Sequence, residues 1–199
     1  MNRVSIDLAA LDHNVRTIDQ WVRGHGASWT LVSKALCGHE DTLAALSGLG
    51  LGSVADSRLP NLRHISRALP GWERWSLRPP QVSNVAEVVE LSEVSLNTER
   101  EILLALEAEA GRQGRQHRVV IMIELGDLRE GILPGSLVQF YEQVLRLEHV
   151  EVIGIGANLG CISGTVPNVD QFTQLALYRE LLELKFGKKL PVISAGSTS

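Results

Sequence analysis

Short apolar runs that end on polar residues recur along the chain, and between them the apolar positions return every three or four residues. The first run, Trp29-Thr-Leu-Val-Ser33, ends at Lys34, where the turn Ala35-Leu-Cys-Gly-His39 begins. Others occupy residues 52–56, 74–78, 94–97, 119–124, 152–158 and 191–194. Apolar runs this short, separated by helical stretches, read as buried strands joined by crossovers, which makes the strands parallel and places helices on their outer face. Ligand sites of such sheets lie beyond the carboxyl ends of the strands, so the polar endings point to one shared site there.

The helices carry their own signals. Asp7 stands as an N-cap before Leu8, Leu11, Val15, Ile18 and Val22, which recur at helical steps until Gly24 stops them. Thr98-Glu-Arg-Glu101 has capping-box spacing and leads into Leu103, Leu104 and Leu106, with Gly111 as the terminator. Further helices are predicted over 40–49, 59–68, 82–91, 137–147 and 169–186, the last closed by Gly187. The strand count reaches seven shortly before residue 199. A closed barrel needs an eighth strand to pair with both the seventh and the first. The pattern therefore predicts an α/β chain, a (β/α)8 TIM-type barrel truncated after its seventh parallel strand. An open doubly wound sheet has the same periodicity and remains the alternative.

Composition narrows the function. With 44% hydrophobic and 21% charged residues and a formal charge of −4, the chain reads as one soluble globular domain with no basic excess for nucleic acid. The cluster Arg112, Arg115, His117 and Arg118 reads as a solvated connection. The start, Met-Asn-Arg-Val-Ser-Ile-Asp, lacks the apolar core of a signal peptide and no run is long enough for a bilayer, so a cytoplasmic protein without membrane partners is expected. Cys37 and Cys161 read as free thiols near the site. No His-Glu-x-x-His or Cys-x-x-Cys pattern calls for a metal. Gly48-Leu-Gly-Leu-Gly52 precedes a strand, whereas a dinucleotide fingerprint follows one.

Several segments together carry a family resemblance. Val32-Ser-Lys34-Ala-Leu-Cys-Gly38-His39 resembles the cofactor-lysine segment of the alanine racemase N-terminal domain family, of fold type III, in its ornithine racemase-like branch. Asp56-Ser-Arg58, Leu77-Arg-Pro79, Glu124-Leu-Gly-Asp-Leu-Arg-Glu-Gly131, Gly154-Ile-Gly-Ala-Asn158-Leu-Gly-Cys161 and Ser194-Ala-Gly-Ser-Thr-Ser199 fit the same branch in the same order. The resemblance implies that residues 1–199 form a barrel domain binding pyridoxal 5′-phosphate, without strand eight and without the family's C-terminal β domain. It implies a Schiff base on Lys34, removal of the Cα proton of an amino acid, and its return to the opposite face.

That chemistry gives the residues their roles. Lys34 must lose a proton to attack an aldehyde, which a desolvated barrel mouth favours, and the cofactor ring then acts as an electron sink. By the resemblance Lys34 and Arg129 are catalytic, and Lys34, Asn158, Gly196, Ser197 and Thr198 bind the cofactor. Arg129 offers a planar fork to the phenolic oxygen or the substrate carboxylate. Gly196, Ser197 and Thr198 match a phosphate-binding turn, with Ser197 standing where relatives often carry asparagine. Met122 falls where some alanine racemases place a modified lysine supporting the arginine, and reads as core. Asp56, Arg58, Arg78, Asn97 and Asp127 are second-rank residues of the mouth, and Asp127 or Glu124 is the expected acceptor for a distal ammonium such as ornithine's. A full-length relative is a homodimer in which a tyrosine of the partner subunit's β domain serves the second face. Two other readings stay open: a noncatalytic carrier of the same cofactor and an inactive racemase fragment. The Ala-Leu-Cys-Gly-His continuation after Lys34 differs from the carrier's usual Thr-Lys-Pro type.

Overall fold

Described over residues 5–160 and 166–195 in a computed structural model, the chain alternates helix and strand as its patterning predicts. It divides into two compact units, residues 1–77 and 78–199. The first begins with α1 (Leu8–Gly24), whose N-cap Asp7 accepts from the amides of Ala9 and Ala10 at 2.9 and 3.0 Å. Then come β1 (Leu31–Val32), α2 (Glu40–Leu46), β2 (Ser53–Asp56), α3 (Leu59–Ala68) and β3 (Glu73–Ser76). β1 pairs with β2 and β2 with β3, all parallel, with Leu31 opposite Val54 and Val54 opposite Arg74. Leu43, Leu46, Val54, Leu62 and Ile65 are fully buried between these strands and α2 and α3, each such side chain contributing about 1.5–3 kcal/mol of transfer free energy.

The second unit holds α4 (Val85–Leu91), β4 (Val94–Asn97), α5 (Arg100–Gln113), β5 (His117–Met122), α6 (Leu137–Val144), β6 (Val150–Gly156), α7 (Val169–Phe186) and β7 (Val192–Ser194). Its strands lie in the order β4-β5-β6-β7, parallel throughout, with a register shift between Val119 and Val120. Tyr141 is wholly buried and its hydroxyl donates to the Gly154 carbonyl at 3.2 Å, which ties α6 to β6; burial pushes the phenol up. β6 carries Gly154 and Gly156 where the neighbouring strand passes close: a Cβ on Gly156 would sit 2.8 Å from the Ser194 carbonyl oxygen.

Three local readings are corrected. The Thr98 capping box does not form: the N-cap of α5 is Glu99, and no side chain caps it. α5 also runs past Gly111 to Gln113, and Gly114, at φ +63, is the stop. Gly111 is small for a packing reason, because a Cβ there would meet the His149 ring at 2.7 Å. A capping box forms instead at α7, where Asn168 and Gln171 exchange bonds of 3.0 Å. The basic cluster is not a solvated loop. Arg112 pairs with Glu109 on α5, Arg115 donates to the carbonyls of Val89 and Glu90, and His117 is buried in β5. No helix of the described residues is long and apolar enough to cross a membrane.

Candidate functional site

In the first unit, β1 ends two residues before Lys34, which opens a 3-10 turn, Lys34–Leu36, closed by Cys37 and Gly38 at φ +50 and +73. Gly38 is needed twice over, since a Cβ there would also lie 3.2 Å from Asn61 Oδ1. Lys34 is exposed, and among the described residues its Nζ has no ion pair or hydrogen bond. The desolvation expected around this amine is therefore not supplied by its own turn. Cys37 beside it is an exposed free thiol; Cys161 lies outside the described residues.

What fixes the turn is Asp56, at the end of β2 and completely buried. Its Oδ2 accepts from Ser33 Oγ at 2.9 Å, and its Oδ1 from the Arg58 amide at 3.0 Å and Asn61 Nδ2 at 3.1 Å. A buried carboxylate is tolerable only when its oxygens are satisfied, and here all three donors converge on it. Ser33 directly precedes Lys34, so the lysine emerges from the most tightly anchored residue of the segment. This corrects the reading of Asp56 as a residue of the mouth: it points inward and holds Ser33, the residue before Lys34. Arg58 and Arg78 are exposed at their strand ends.

In the second unit a loop spanning 124–131 follows β5. The Glu124 carboxylate closes it, accepting from the amides of Gly126, Leu128 and Arg129. Ile132 then returns beside the strand end, its N–H donating to Met122 and its carbonyl accepting from Glu124, at 2.8 and 3.0 Å. Gly131 permits this return, because a Cβ would meet the carbonyl carbon of Ile123 at 2.6 Å. Gln171, at the start of α7, holds the loop from outside by donating to the Leu125 carbonyl at 2.6 Å.

Arg129 and Asn158 are joined here through Glu130. Glu130 Oε2 pairs with Arg129 Nε at 2.6 Å, and its Oε1 accepts from Asn158 Nδ2 at 2.6 Å. With Nε so engaged, the remaining N–H donors of the guanidinium are its two Nη groups. Met122 is core, 1% exposed. Asp127 is equally buried, and Glu124 is spent on its own loop, so neither carboxylate is presented to a distal ammonium. Asn97 is also buried. Its Nδ2 donates to the carbonyl and hydroxyl of Ser95 at 3.0 and 2.9 Å, and Ser95 Oγ lies 2.8 Å from His117 Nε2. Burial holds His117 down at about 4, against a backbone hydrogen bond to Ser92 that pulls upward. Gly196, Ser197 and Thr198 lie outside the described residues.

Against known proteins, the alanine racemase N-terminal domain family matches residues 6–199. The ornithine racemase of Acetoanaerobium sticklandii is 31% identical over 198 residues, 99% of this chain and 56% of that one. The lysine racemase of Thermotoga maritima is 26% identical over 98% of this chain and 54% of its own length. The chain thus spans about half the length of the curated relatives it matches. Among solved structures, the alanine racemase of D-cycloserine-producing Streptomyces lavendulae superposes with a TM-score of 0.78 at 16% identity, covering 96% of this chain and 51% of that one. PipY of Synechococcus elongatus PCC7942, solved with PLP bound, gives 0.67 at 17% identity over 84% of this chain and 89% of that one. These likenesses select the racemase barrel type for the seven parallel strands over an open doubly wound sheet. Matched along nearly its whole length, the chain belongs to the alanine racemase N-terminal domain family.

Proposed function

We propose that this chain is the barrel portion of a pyridoxal 5′-phosphate-dependent racemase acting on a basic amino acid, with Lys34 as the residue that carries the cofactor. The observation that carries the reading is the placement of Lys34: an exposed amine one residue beyond Ser33, which is clamped to the buried Asp56. A nucleophilic amine needs a free lone pair and a fixed origin, and this arrangement provides the origin. The donor set of the second unit fits an anionic aldehyde cofactor and an amino acid, with a guanidinium and an amide already oriented by Glu130.

The cofactor, when bound, supplies the aldehyde that an amine attacks and the ring that withdraws electrons from the substrate Cα. Lys34 Nζ would take and return a proton on one face of that carbon. Arg129 would direct its Nη donors at the substrate carboxylate or the cofactor's phenolic oxygen, and Asn158 would offer its NH2 group to cofactor or substrate. By the resemblance, Gly196, Ser197 and Thr198 would contact the cofactor's phosphate. The similarity to ornithine and lysine racemases supports a basic substrate.

The test mixes the purified protein with pyridoxal 5′-phosphate, follows the visible absorption, reduces with borohydride and maps the labelled peptide. A visible band and a label on Lys34, both lost in Lys34→Ala, are expected. Ornithine and lysine should then exchange Cα hydrogen with deuterated water and lose optical purity faster than alanine. Labelling without exchange on any amino acid would identify a carrier instead. Faster exchange of alanine would remove the basic substrate.

A further inference from the structure

We propose that Glu130 is the positioning residue of the second unit, holding Arg129 and Asn158 as one preset donor pair for the carboxylate of an amino acid. The inference rests on the racemase reading for its ligand, but its geometry stands on the chain alone. Glu130 uses both oxygens: Oε2 takes Arg129 Nε and Oε1 takes Asn158 Nδ2, each at 2.6 Å. An exposed pair between adjacent residues is ordinarily worth little. Here the side chains of Arg129 and Glu130 are only 27% and 18% exposed, and the third member lies 28 residues away at the end of β6. Short charge-assisted bonds in a partly buried network are the strong kind.

The consequences for the two donors are specific. With Nε occupied, the rigid guanidinium plane is oriented and only the Nη groups remain for a ligand. Asn158 can offer a carboxylate nothing but its NH2 group, so Glu130 also decides which way the amide faces. The loop's other ties, from Glu124 and Gln171, end on backbone atoms and leave side-chain direction open. Glu130 also neutralises Arg129. The pair therefore selects a carboxylate by direction of donors rather than by net charge.

The test reads two signals in the full protein. The first is the Arg129 Nε–H in 1H–15N spectra without cofactor; the second is the affinity of acetate for protein loaded with pyridoxal 5′-phosphate, followed through visible absorption. In the wild type the Nε–H is expected downfield and slow to exchange. Glu130→Gln, which can accept from only one of the two donors, should lose that signature and weaken acetate roughly 10-fold in protein that still folds. Glu130→Asp, which keeps the carboxylate, should recover most of both. If Glu130→Gln matches the wild type in resonance and acetate affinity, the pair is a surface contact and the inference is overturned. If that variant does not fold, Asn158→Leu breaks one arm alone and must shift the same resonance; an unmoved resonance overturns the inference equally. A wild type with no Lys34 adduct defeats the racemase reading instead, because the Arg129 resonance is read in cofactor-free protein.

Discussion

The Lys34 turn and the loop spanning 124–131 solve the same problem with opposite means. Each is a polar turn beyond a strand that must present one cation, and each is organised by a carboxylate accepting three hydrogen bonds. Asp56 is fully buried and reaches Ser33, 23 residues earlier in the chain, so it joins two strands and a helix start. Glu124 is partly exposed and reaches no farther than Arg129, so it shapes only its own loop. The lesson is a division of labour. Lys34, the proposed cofactor anchor, follows a residue tied to the core of its unit, whereas Arg129 sits on a locally built loop where its side chain is tied to Glu130.

The largest expected effect comes from breaking the welded side. Asp56→Ala strands Asn61 Nδ2 and the Arg58 amide and leaves Ser33 Oγ only its 3.3 Å bond to the Ala55 carbonyl, which should cost about 3–5 kcal/mol. All four tryptophans, Trp21, Trp29, Trp72 and Trp75, lie in residues 1–77, so urea unfolding followed by tryptophan fluorescence reads this unit directly. Labelling of Lys34 should slow in parallel; an unchanged midpoint and labelling rate would show that Asp56 is not the brace.

Acid should act on the second unit next. His117 binds its proton at about 4 in the folded chain, with desolvation the main cause and the charges of Arg118 and Arg115 adding to it. An unfolded histidine titrates near 6.5, so between those values the unfolded state binds more protons and stability rises with pH. Lowering the pH from about 6.5 to 4 should therefore remove on the order of 3 kcal/mol from this group. The measurement is the unfolding free energy of His117→Asn against wild type at several pH values, where the variant should show a flatter dependence.

Smaller effects belong to the locally built side. Glu124→Gln weakens the bonds to three amides and should cost about 1–2 kcal/mol. It should speed amide exchange at Leu128 and Arg129 while leaving the tryptophan midpoint unmoved; a shift in that midpoint would break the contrast between the two turns. Least of all, Leu128 sits at φ +52 and is 83% exposed, so asparagine, which tolerates that conformation, should stabilise by roughly 0.5 kcal/mol in thermal melts.

The elements were legible to different degrees for identifiable reasons. α3 and α7 have the bounds that their periodicity and terminal residues predict, and Lys34 stands beyond a strand as its pattern requires. β1 is shorter than its apolar run, spanning only Leu31–Val32. The site was legible as a set of strand-end polar residues but not as an arrangement. Asp56, Asn97 and Asp127 were grouped with Arg58 and Arg78 as residues of the mouth, yet the first three are buried and the two arginines are exposed.

By itself the sequence determined the alternation of strand and helix, the helix stop at Gly187, the family motifs and the position of Lys34 in them. These are local properties, decided by periodicity and backbone preference within a turn or a strand. Only the tertiary structure decided that Asp56 faces inward, that Gly111 makes room for His149, and that Glu130 joins Arg129 to Asn158. A polar side chain at a strand end turns toward whichever donor or acceptor the fold brings against it, and those partners come from segments more than twenty residues apart in the chain.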